Sequence, residues 1–503
     1  MNKYITRSGS IIIMVAVISF FTALPLVFQS CEQDFSQTPD NITGFPEDIE
    51  AIFNEPLNSS NITCASPSCH ATGNNSNGMD LVNWNNAMQG SANGTMIIPY
   101  NGYWSHFIAY INSDTNFAPV AVDSLFPTFH KILPEKVQTI YNWINDGAKS
   151  KDGQVAFTDV PVSEKGFITN QAADLVAVIN QYTKQVLRLV PVGGVGNSLN
   201  SPHYVKLSPD KSVFYVSLIS AGYIQKYDSY THAKIGGNMQ AGQSPAHIEI
   251  SQDGQTGYVT NFASSGVSST RKFNTSSMTV TDVFENEPRM TGPHGMALTN
   301  DGNTLYVTSE IGEYIFKINT NYFYQSDSTY VKEPIDPTVP PSGNGTGNFR
   351  PYQILLSPDE SLLFVSCRGS SEVRIYNASD LSFVKKIFLG NNAFPLLMKF
   401  TNDGNQIFVC NRNNNTVSII NRSLQEVQET ITNVGIQPHG VDFTADGQYA
   451  YIACETLNGF DGHHPTVGSK KVGVTRIIRM SDFSLMDDRV QMASFPAGIE
   501  LVK

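Results

Sequence analysis

The sequence predicts a multidomain protein in which a small all-α domain precedes an all-β seven-bladed propeller. Three observations predict this division. A cysteine and histidine motif lies among helical patterns in residues 44–153. A proline, short apolar strands and an aspartate turn recur six times in residues 160–503. The two ends of this second region each hold part of one further repeat, which brings the number of repeats to seven.

The first residues predict export rather than a folded element. Two basic residues precede an apolar run over residues 11–28, which is typical of a secretory signal peptide. A small residue followed by Cys31 ends the run and resembles the lipobox of bacterial lipoproteins. The resemblance implies a signal peptide over 1–30, an acylated Cys31 and a tether over 31–43. It also implies a lipid-anchored protein of the bacterial cell envelope, on the periplasmic or surface face of the outer membrane. The alternative is a transmembrane anchor, because the run has about the minimum length for one.

The charge balance argues against a nucleic-acid partner. The 503 residues carry a formal net charge of −12, and only 15% of them are charged. No basic cluster stands out that could follow a phosphate backbone. We therefore expect no nucleic acid among the partners.

The segment from Cys64 to His70 holds the most specific chemical motif of the chain. Cys64 and Cys69 are followed at once by His70. In this order the thiols can form thioethers with haem vinyl groups, and the histidine can ligate the iron. The usual spacing is two residues between the cysteines, whereas four separate them here. The alternatives are a disulfide, which an exported compartment permits, and a chance triplet.

An amphipathic helix is predicted to close the small domain, because Pro134 suits a first helical turn and Gly147 suits a helix end. The other segments that carry the family likeness are Ile52–Phe53, Met79–Leu81, Gly90, Ile97–Pro99, Ser105 and Trp143–Ala148. In this order they resemble a class I-type cytochrome c domain of the kind found in Planctomycetes and Bacteroidetes envelope proteins.

This resemblance implies a covalent haem c held by Cys64 and Cys69, with His70 as the proximal iron ligand. The family commonly supplies a distal methionine from a Met-Pro pair before the last helix, but a phenylalanine precedes the corresponding proline here. His130 lies nearby and is the first candidate for the distal ligand, and His106 is the second. Without either, the iron is five-coordinate.

A repeat built on proline and aspartate predicts the propeller. The aspartate follows the proline eight residues later, with an apolar strand between them and a turn and further strands after them. Four short antiparallel strands in about 40–60 residues are typical of a propeller blade. Residues 167–195 supply three strands and residues 495–502 an innermost one, so we expect both ends to join in the blade that closes the ring. The six pairs are Pro202/Asp210, Pro245/Asp253, Pro293/Asp301, Pro351/Asp359, Pro395/Asp403 and Pro438/Asp446.

These repeats resemble the YVTN family of seven-bladed propellers. Tyr258–Asn261 reads Tyr-Val-Thr-Asn, and Tyr306–Ser309 differs from it only in the last residue. Propellers that bind redox cofactors belong to the same class, although the fold alone does not determine function.

Polar side chains recur where the innermost strands begin. These positions should surround one mouth of the central channel, and loops that leave the second strands should add arginines there. Three interpretations stay open: histidines that bind a metal or a second haem, a polar ligand pocket, and histidines that only pack within their own blades. The candidate pocket comprises His203, His247, His294, His439, Arg368 and Arg412.

The remaining cysteines predict no cross-link. Cys367, Cys410 and Cys454 are odd in number and occupy similar strand ends in neighbouring repeats. We expect them to be buried free thiols that pack as small apolar side chains.

From these patterns we expect haem-dependent electron transfer in the cell envelope, with the propeller as a docking or ligand-binding scaffold. The expected partners are a redox protein and, through the lipid, the membrane. The alternatives are an oxidoreductase with a substrate or second cofactor on the propeller face, and a non-redox surface binding protein.

Overall fold

In the computed structural model, a helical segment precedes a β-propeller, and both belong to the unit formed by residues 43–503. The residues that the structure describes are 43–57, 61–71, 74–75, 78–92, 94–112, 131–263, 267–324, 328–341, 347–457, 466–467 and 470–503. Within these ranges, no helix has the length and apolar character needed to cross a bilayer.

Before the propeller, the described residues contain four α-helices and two short strands. They are α1 (Glu47–Asn54), β1 (His70–Ala71), β2 (Asn74–Asn75), α2 (Trp84–Met88), α3 (His106–Ile111) and α4 (Pro134–Asn145). α4 begins at the predicted Pro134, and its buried side chains Val137, Ile140 and Ile144 recur at helical spacing. Aromatic side chains fill the interior, where the rings of Phe45 and Phe53 meet edge to face with centroids 5.0 Å apart.

This helical segment packs directly on the propeller. Trp104 lies in the same apolar core as propeller strand residues. Three hydrogen bonds add to this contact: Val186 N–H donates to Thr95 Oγ1 at 2.8 Å, and the side chains of Gln185 and Arg188 donate to carbonyls of the helical segment at 2.7 Å. The prediction of a clearly separate all-α domain is therefore wrong, because apolar and polar contacts join the two parts into one unit.

The predicted seven-bladed propeller is confirmed. Seven four-stranded antiparallel sheets occur in the described residues, each running from an innermost to an outermost strand. Innermost strands contact their neighbours all the way round the ring. The blade that closes the ring holds β3 (Lys165–Asn170), β4 (Leu175–Asn180) and β5 (Val186–Pro191), together with β32 (Pro496–Leu501) from the far end of the region. The next five blades are, in order, β6 (Pro202–Leu207), β7 (Val213–Leu218), β8 (Tyr223–Asp228) and β9 (Lys234–Gln240); β10 (Pro245–Ile250), β11 (Thr256–Asn261), β12 (Ser269–Asn274) and β13 (Thr279–Glu285); β14 (Pro293–Leu298), β15 (Thr304–Ser309), β16 (Tyr314–Asn319) and β17 (Tyr330–Pro334); β18 (Pro351–Leu356), β19 (Leu362–Cys367), β20 (Glu372–Asn377) and β21 (Phe383–Phe388); and β22 (Pro395–Phe400), β23 (Gln406–Asn411), β24 (Thr416–Asn421) and β25 (Glu426–Ile431). The last blade holds β26 (Pro438–Phe443), β27 (Tyr449–Cys454), β30 (Gly473–Arg479) and β31 (Leu485–Met492), and the short β28 (Thr466–Val467) and β29 (Lys470–Lys471) lie between β27 and β30 in the sequence.

Each repeat aspartate holds the turn between the first two strands of its blade. A hydroxyl two residues before it donates to its carboxylate at 2.5–2.6 Å. The backbone N–H two residues after it donates to the same oxygen at 2.9–3.3 Å. These hydrogen bonds form an Asx turn, which explains why the aspartate recurs with the strands. Cys367, Cys410 and Cys454 are buried free thiols, as predicted.

A strand from the end of the chain closes the ring. β32 pairs antiparallel with β3, with Ile168 opposite Ile499. The buried Asp442 of the preceding blade holds this strand, because its carboxylate accepts the N–H of Leu501 at 2.9 Å and the ammonium of Lys503 at 2.8 Å. Burial alone would raise the pKa of Asp442, but nearby Lys399 and Lys503 lower it below its ordinary 3.8. Asp442 therefore stays ionised in the folded protein.

We expect Asp442→Asn to weaken ring closure. The change keeps the size of the side chain but removes the charge that two lysines face, so the free energy of unfolding at neutral pH should fall by about 2–4 kcal/mol. Because the folded carboxyl has the lower pKa, its contribution is present above its unfolded value and is lost as the pH falls below about 4. Urea unfolding at pH 7 and below pH 4 measures both effects. The exposed Asp482→Asn is the control and should leave the midpoint unchanged. A wild-type advantage that is equal at both pH values contradicts this role.

Candidate functional site

Seven equivalent residues surround one mouth of the central channel. Each one follows the second strand of its blade, and its backbone N–H donates at 2.8–3.2 Å to the carbonyl that precedes the repeat proline of the innermost strand. The antiparallel pairing of these two strands therefore brings seven side chains over the start of the innermost strands. They are Gln171, Ile219, Phe262, Glu310, Arg368, Arg412 and Glu455.

The innermost strands add a layer of aromatic side chains beneath this ring. The predicted histidines all meet there: the ring centroid of His203 lies 5.4 Å from that of His294 and 5.9 Å from that of His439, and the centroids of His247 and His294 are 4.6 Å apart. Tyr352 joins them, with its ring 3.9 Å from that of His294. All five side chains are buried. The histidines therefore form one cluster across blades and do not only pack within their own.

His439 is held by a carboxylate on one side and a hydroxyl on the other. Its Nδ1 lies 2.8 Å from Glu455 Oε1, and its Nε2 lies 3.2 Å from the Tyr352 hydroxyl. Because the carboxylate can only accept, Nδ1 carries a proton, and an Nε2 without a proton accepts from Tyr352. Arg412 forms a two-pronged pair with Glu455 at 2.7 and 2.8 Å. The result is a continuous relay from Arg412 through the carboxylate and imidazole to the tyrosine.

Glu310 accepts hydrogen bonds from the other two arginines of the mouth. Its Oε1 accepts from Arg350 at 2.7 Å and from Arg368. The guanidinium of Arg368 also lies over the ring of Tyr352, 4.9 Å from its centroid. Glu310 is fully buried, whereas the arginines are 17–30% exposed. The cationic groups therefore face the solvent side of the mouth.

Among the ring residues and Arg350, three arginines face two carboxylates, Glu310 and Glu455, each of which is paired with arginine. Burial would raise the pKa of Glu455, but hydrogen bonds from His439 and Arg412 lower it. Burial and the neighbouring His439 lower the pKa of His203 to about 3. The pKa values of His247 and His294 are also lowered well below the ordinary value, by burial first and neighbouring histidines second. These three histidines are neutral at pH 7.

The residues of the cysteine motif lie in a compact turn beside the helical core. Cys64 and Cys69 are free thiols, so the disulfide alternative is wrong in this structure. His70 Nδ1 lies 3.3 Å from the carbonyl of Met79, and burial raises the pKa of Cys64 to about 11. Haem c attachment by these three residues stays a prediction. His106 begins α3 as a buried side chain, and Cys31 and His130 lie outside the described residues.

The sequence pattern predicted the histidines, Arg368 and Arg412, but it missed Arg350, which directly precedes a repeat proline, and three further central residues. Tyr352, Glu310 and Glu455 complete the mouth. A signal for them exists, because Tyr352 follows a repeat proline directly and both glutamates stand at the same offset from their repeat prolines as the two arginines. Aligning the repeats on proline would have placed all three.

A family model for seven-bladed lactonase propellers matches residues 166–308 and 272–439, which together exceed half of the chain. The chain belongs to this lactonase family. The membership agrees with the predicted propeller and names a different family from the YVTN resemblance. The matched residues lie in the propeller, so they give no support to the cytochrome c resemblance of residues 44–153.

Several solved structures share this lactonase fold. A candidate 6-phosphogluconolactonase from Bacteroides fragilis is 16% identical, with a TM-score of 0.52 over 70% of this chain and 100% of its own. The periplasmic gluconolactonase of Pseudomonas aeruginosa is 15% identical, with a TM-score of 0.52 over 67% of this chain and 99% of its own. At this identity the likeness shows the fold alone. No curated protein matches the sequence significantly.

Membership of the lactonase family corrects the predicted function. The haem-dependent electron transfer that we expected from the cysteine motif is contradicted, because the family model that matches more than half of the chain is one of lactonases. The motif reasoning failed because three residues were given more weight than the repeat region, which occupies most of the chain.

We expect Glu310→Gln to destabilise the mouth. The amide cannot balance Arg350 and Arg368, so the free energy of unfolding should fall by about 2 kcal/mol, less than for a fully buried pair because both arginines are partly exposed. Denaturant unfolding measures this loss. Glu426→Gln, which removes an exposed partner of Lys385, is the matched control and should have little effect. Equal midpoints for the two variants would show that Glu310 does not stabilise the mouth.

Proposed function

We propose that this protein hydrolyses a lactone, an internal ester, at the arginine-lined mouth of the propeller channel. The observation that carries the proposal is the relay of Tyr352, His439 and Glu455 beside Arg368. Membership of the lactonase family supports the reaction class. Ester hydrolysis needs a base, a group that orients the base and a cation that stabilises the developing oxyanion.

His439 is the proposed general base. Glu455 fixes the imidazole with its proton on Nδ1, so the lone pair of Nε2 points to the Tyr352 hydroxyl. A water that donates to the tyrosine oxygen can pass its proton to Nε2 through Tyr352. Burial raises the pKa of Tyr352, so the hydroxyl stays protonated between proton transfers.

The proposed reaction accounts for every bond and proton with the lactone, one water and the residues of the mouth. The oxygen of the water forms a bond with the lactone carbonyl carbon, while its proton moves to His439. The guanidinium of Arg368 stabilises the negative charge on the carbonyl oxygen. The ring carbon–oxygen bond then breaks, and the departing oxygen takes the proton back from His439. One water is consumed, and the product is an open-chain hydroxy acid.

The charge of the mouth favours an anionic lactone. Its positive charge lies on partly exposed guanidinium groups, which bind carboxylates and phosphates through paired hydrogen bonds. Solved neighbours of the same fold are named for gluconolactone and its 6-phosphate, so these two compounds form a natural neutral and anionic test pair.

Export and anchoring through Cys31 stay predictions from the sequence. If the protein is a lipoprotein, the lactones that reach it are those of the cell envelope. Metabolic labelling with a fatty acid, compared between the wild type and Cys31→Ala, tests the anchor separately from catalysis.

We expect His439→Gln to lower kcat at least 100-fold on an active lactone. Glutamine can still donate to Glu455 but cannot take a proton from Tyr352, so the loss should appear in kcat rather than KM. Ring opening is followed as acid release at constant pH, with spontaneous hydrolysis subtracted. His232→Gln is the matched control, because His232 lies in the turn between β8 and β9 and should keep full activity. Unchanged kcat in His439→Gln would refute the assignment of the base.

We expect Arg412→Met to weaken the binding of anionic lactones more than the binding of neutral ones. The loss of one guanidinium should raise KM for 6-phosphogluconolactone about 10-fold or more, while KM for gluconolactone changes little. The ratio of the two KM values is the readout, because a general loss of folded protein lowers rates without moving this ratio. Parallel changes for both substrates would remove the argument for an anionic lactone.

A further inference from the structure

Three imidazoles of the channel cluster bring ring nitrogens close together. His203, His247 and His294 each offer one ring nitrogen, and these atoms lie within 4.8 Å of one another. The Nε2 atoms of His203 and His294 are 3.3 Å apart. This separation matches the edge of a tetrahedron of nitrogens at the 2.0–2.1 Å bond lengths of zinc, which is about 3.3 Å.

The hydrogen bonds on the far side of two rings leave lone pairs facing each other. His294 Nδ1 lies 3.1 Å from the backbone carbonyl of Tyr352, which can only accept, so the proton of neutral His294 is on Nδ1. His203 Nδ1 lies 3.1 Å from the amide oxygen of Gln171 and is protonated in the same way. Both Nε2 atoms are then acceptors. Two acceptors at 3.3 Å repel each other unless a cation lies between them.

His247 adds a third unsatisfied nitrogen. Its Nε2 is buried and has no hydrogen-bond partner among the described residues, while its ring stacks on Tyr204 with centroids 4.3 Å apart. A buried imidazole nitrogen without a partner costs free energy, which a bound ion would recover.

We propose that His203, His247 and His294 bind one divalent transition-metal ion inside the channel. Neutral imidazoles are preferred ligands of zinc, cobalt, nickel and copper, and a carbonyl partner on the second ring nitrogen is the usual support for a histidine ligand. Three protein ligands leave a fourth position for water or a small ligand. The buried carboxylates Glu310 and Glu455 offset part of the added positive charge nearby.

The proposed ligands adjoin the groups that carry the lactone proposal, since His294 contacts Tyr352, but they are different side chains. His439 and Glu455 bond to each other and to Tyr352 and Arg412, and none of the three proposed ligands is needed for the relay. The proposed metal site is therefore tested by metal binding and not by lactone hydrolysis.

One alternative explains the same contact without a metal. If the Gln171 amide is turned over, its NH₂ donates to His203 Nδ1, and His203 Nε2–H can donate to His294. His247 then packs only as an aromatic ring, and replacing it with phenylalanine removes an unsatisfied nitrogen at no cost. The two accounts therefore predict opposite results for the same variant.

The test is titration of chelator-treated full-length protein with Co²⁺, read by visible absorption, together with the metal content of protein purified without chelator. The wild type should bind one Co²⁺ per chain at the cluster. His247→Phe should weaken binding at least 100-fold, and Gln171→Leu about 10- to 100-fold. His232→Gln, a histidine away from the channel, should bind as the wild type does. Thermal unfolding of each apo variant verifies that it is folded.

The proposal is overturned if the wild type binds no Co²⁺, if His247→Phe binds it as tightly as the wild type, or if His232→Gln weakens binding as much as His247→Phe. Higher stability of His247→Phe with no metal bound to the wild type would establish the packing alternative. Lactone hydrolysis enters none of these readouts, so the two proposals can fail independently.

Discussion

The pairing of β32 with β3 is the interaction on which the rest of the structure depends. These strands come from opposite ends of the propeller region, and their ladder turns an open row of sheets into a ring. Only in a closed ring do all innermost strands begin around one mouth. Asp442 strengthens this ladder by holding Leu501 and Lys503, and the site on the channel axis thus depends on contacts at the closure.

The polar layer at the mouth is costly to bury, and this cost explains its organisation. Glu310 and Glu455 are almost fully buried, and each is paired with at least one arginine whose outer part reaches solvent. Buried ion pairs often contribute little net stability, because desolvation offsets the attraction. Their arrangement instead orients His439 and places guanidinium groups at the entrance.

The repeats made the propeller predictable, because six of the seven blades share the same order of proline, strand, aspartate turn and strand. The repeat proline also placed His203, His294 and His439 at equivalent positions. Tyr352, Glu310 and Glu455 were missed because a tyrosine or glutamate in one blade shows no pattern by itself, and their meaning arises from contacts between blades. The packing of the helical segment on the propeller was equally hidden, since Thr95 and Trp104 carry no signal for a partner so far along the chain. The motif from Cys64 to His70 shows the opposite error, in which a local pattern was taken as the function of the whole chain.

We propose that ring closure assembles a binding site for an anionic lactone at the arginine-lined mouth. A crystal structure with the open-chain product 6-phosphogluconate tests it most directly, because the channel also has an opposite mouth, lined by Lys206, Glu249 and Glu500. The account predicts that the carboxylate or phosphate of the product lies within hydrogen-bond distance of Arg368 and Arg412, above Tyr352. Product bound only at the Lys206 mouth, or no bound product at concentrations that saturate the enzyme, would contradict it.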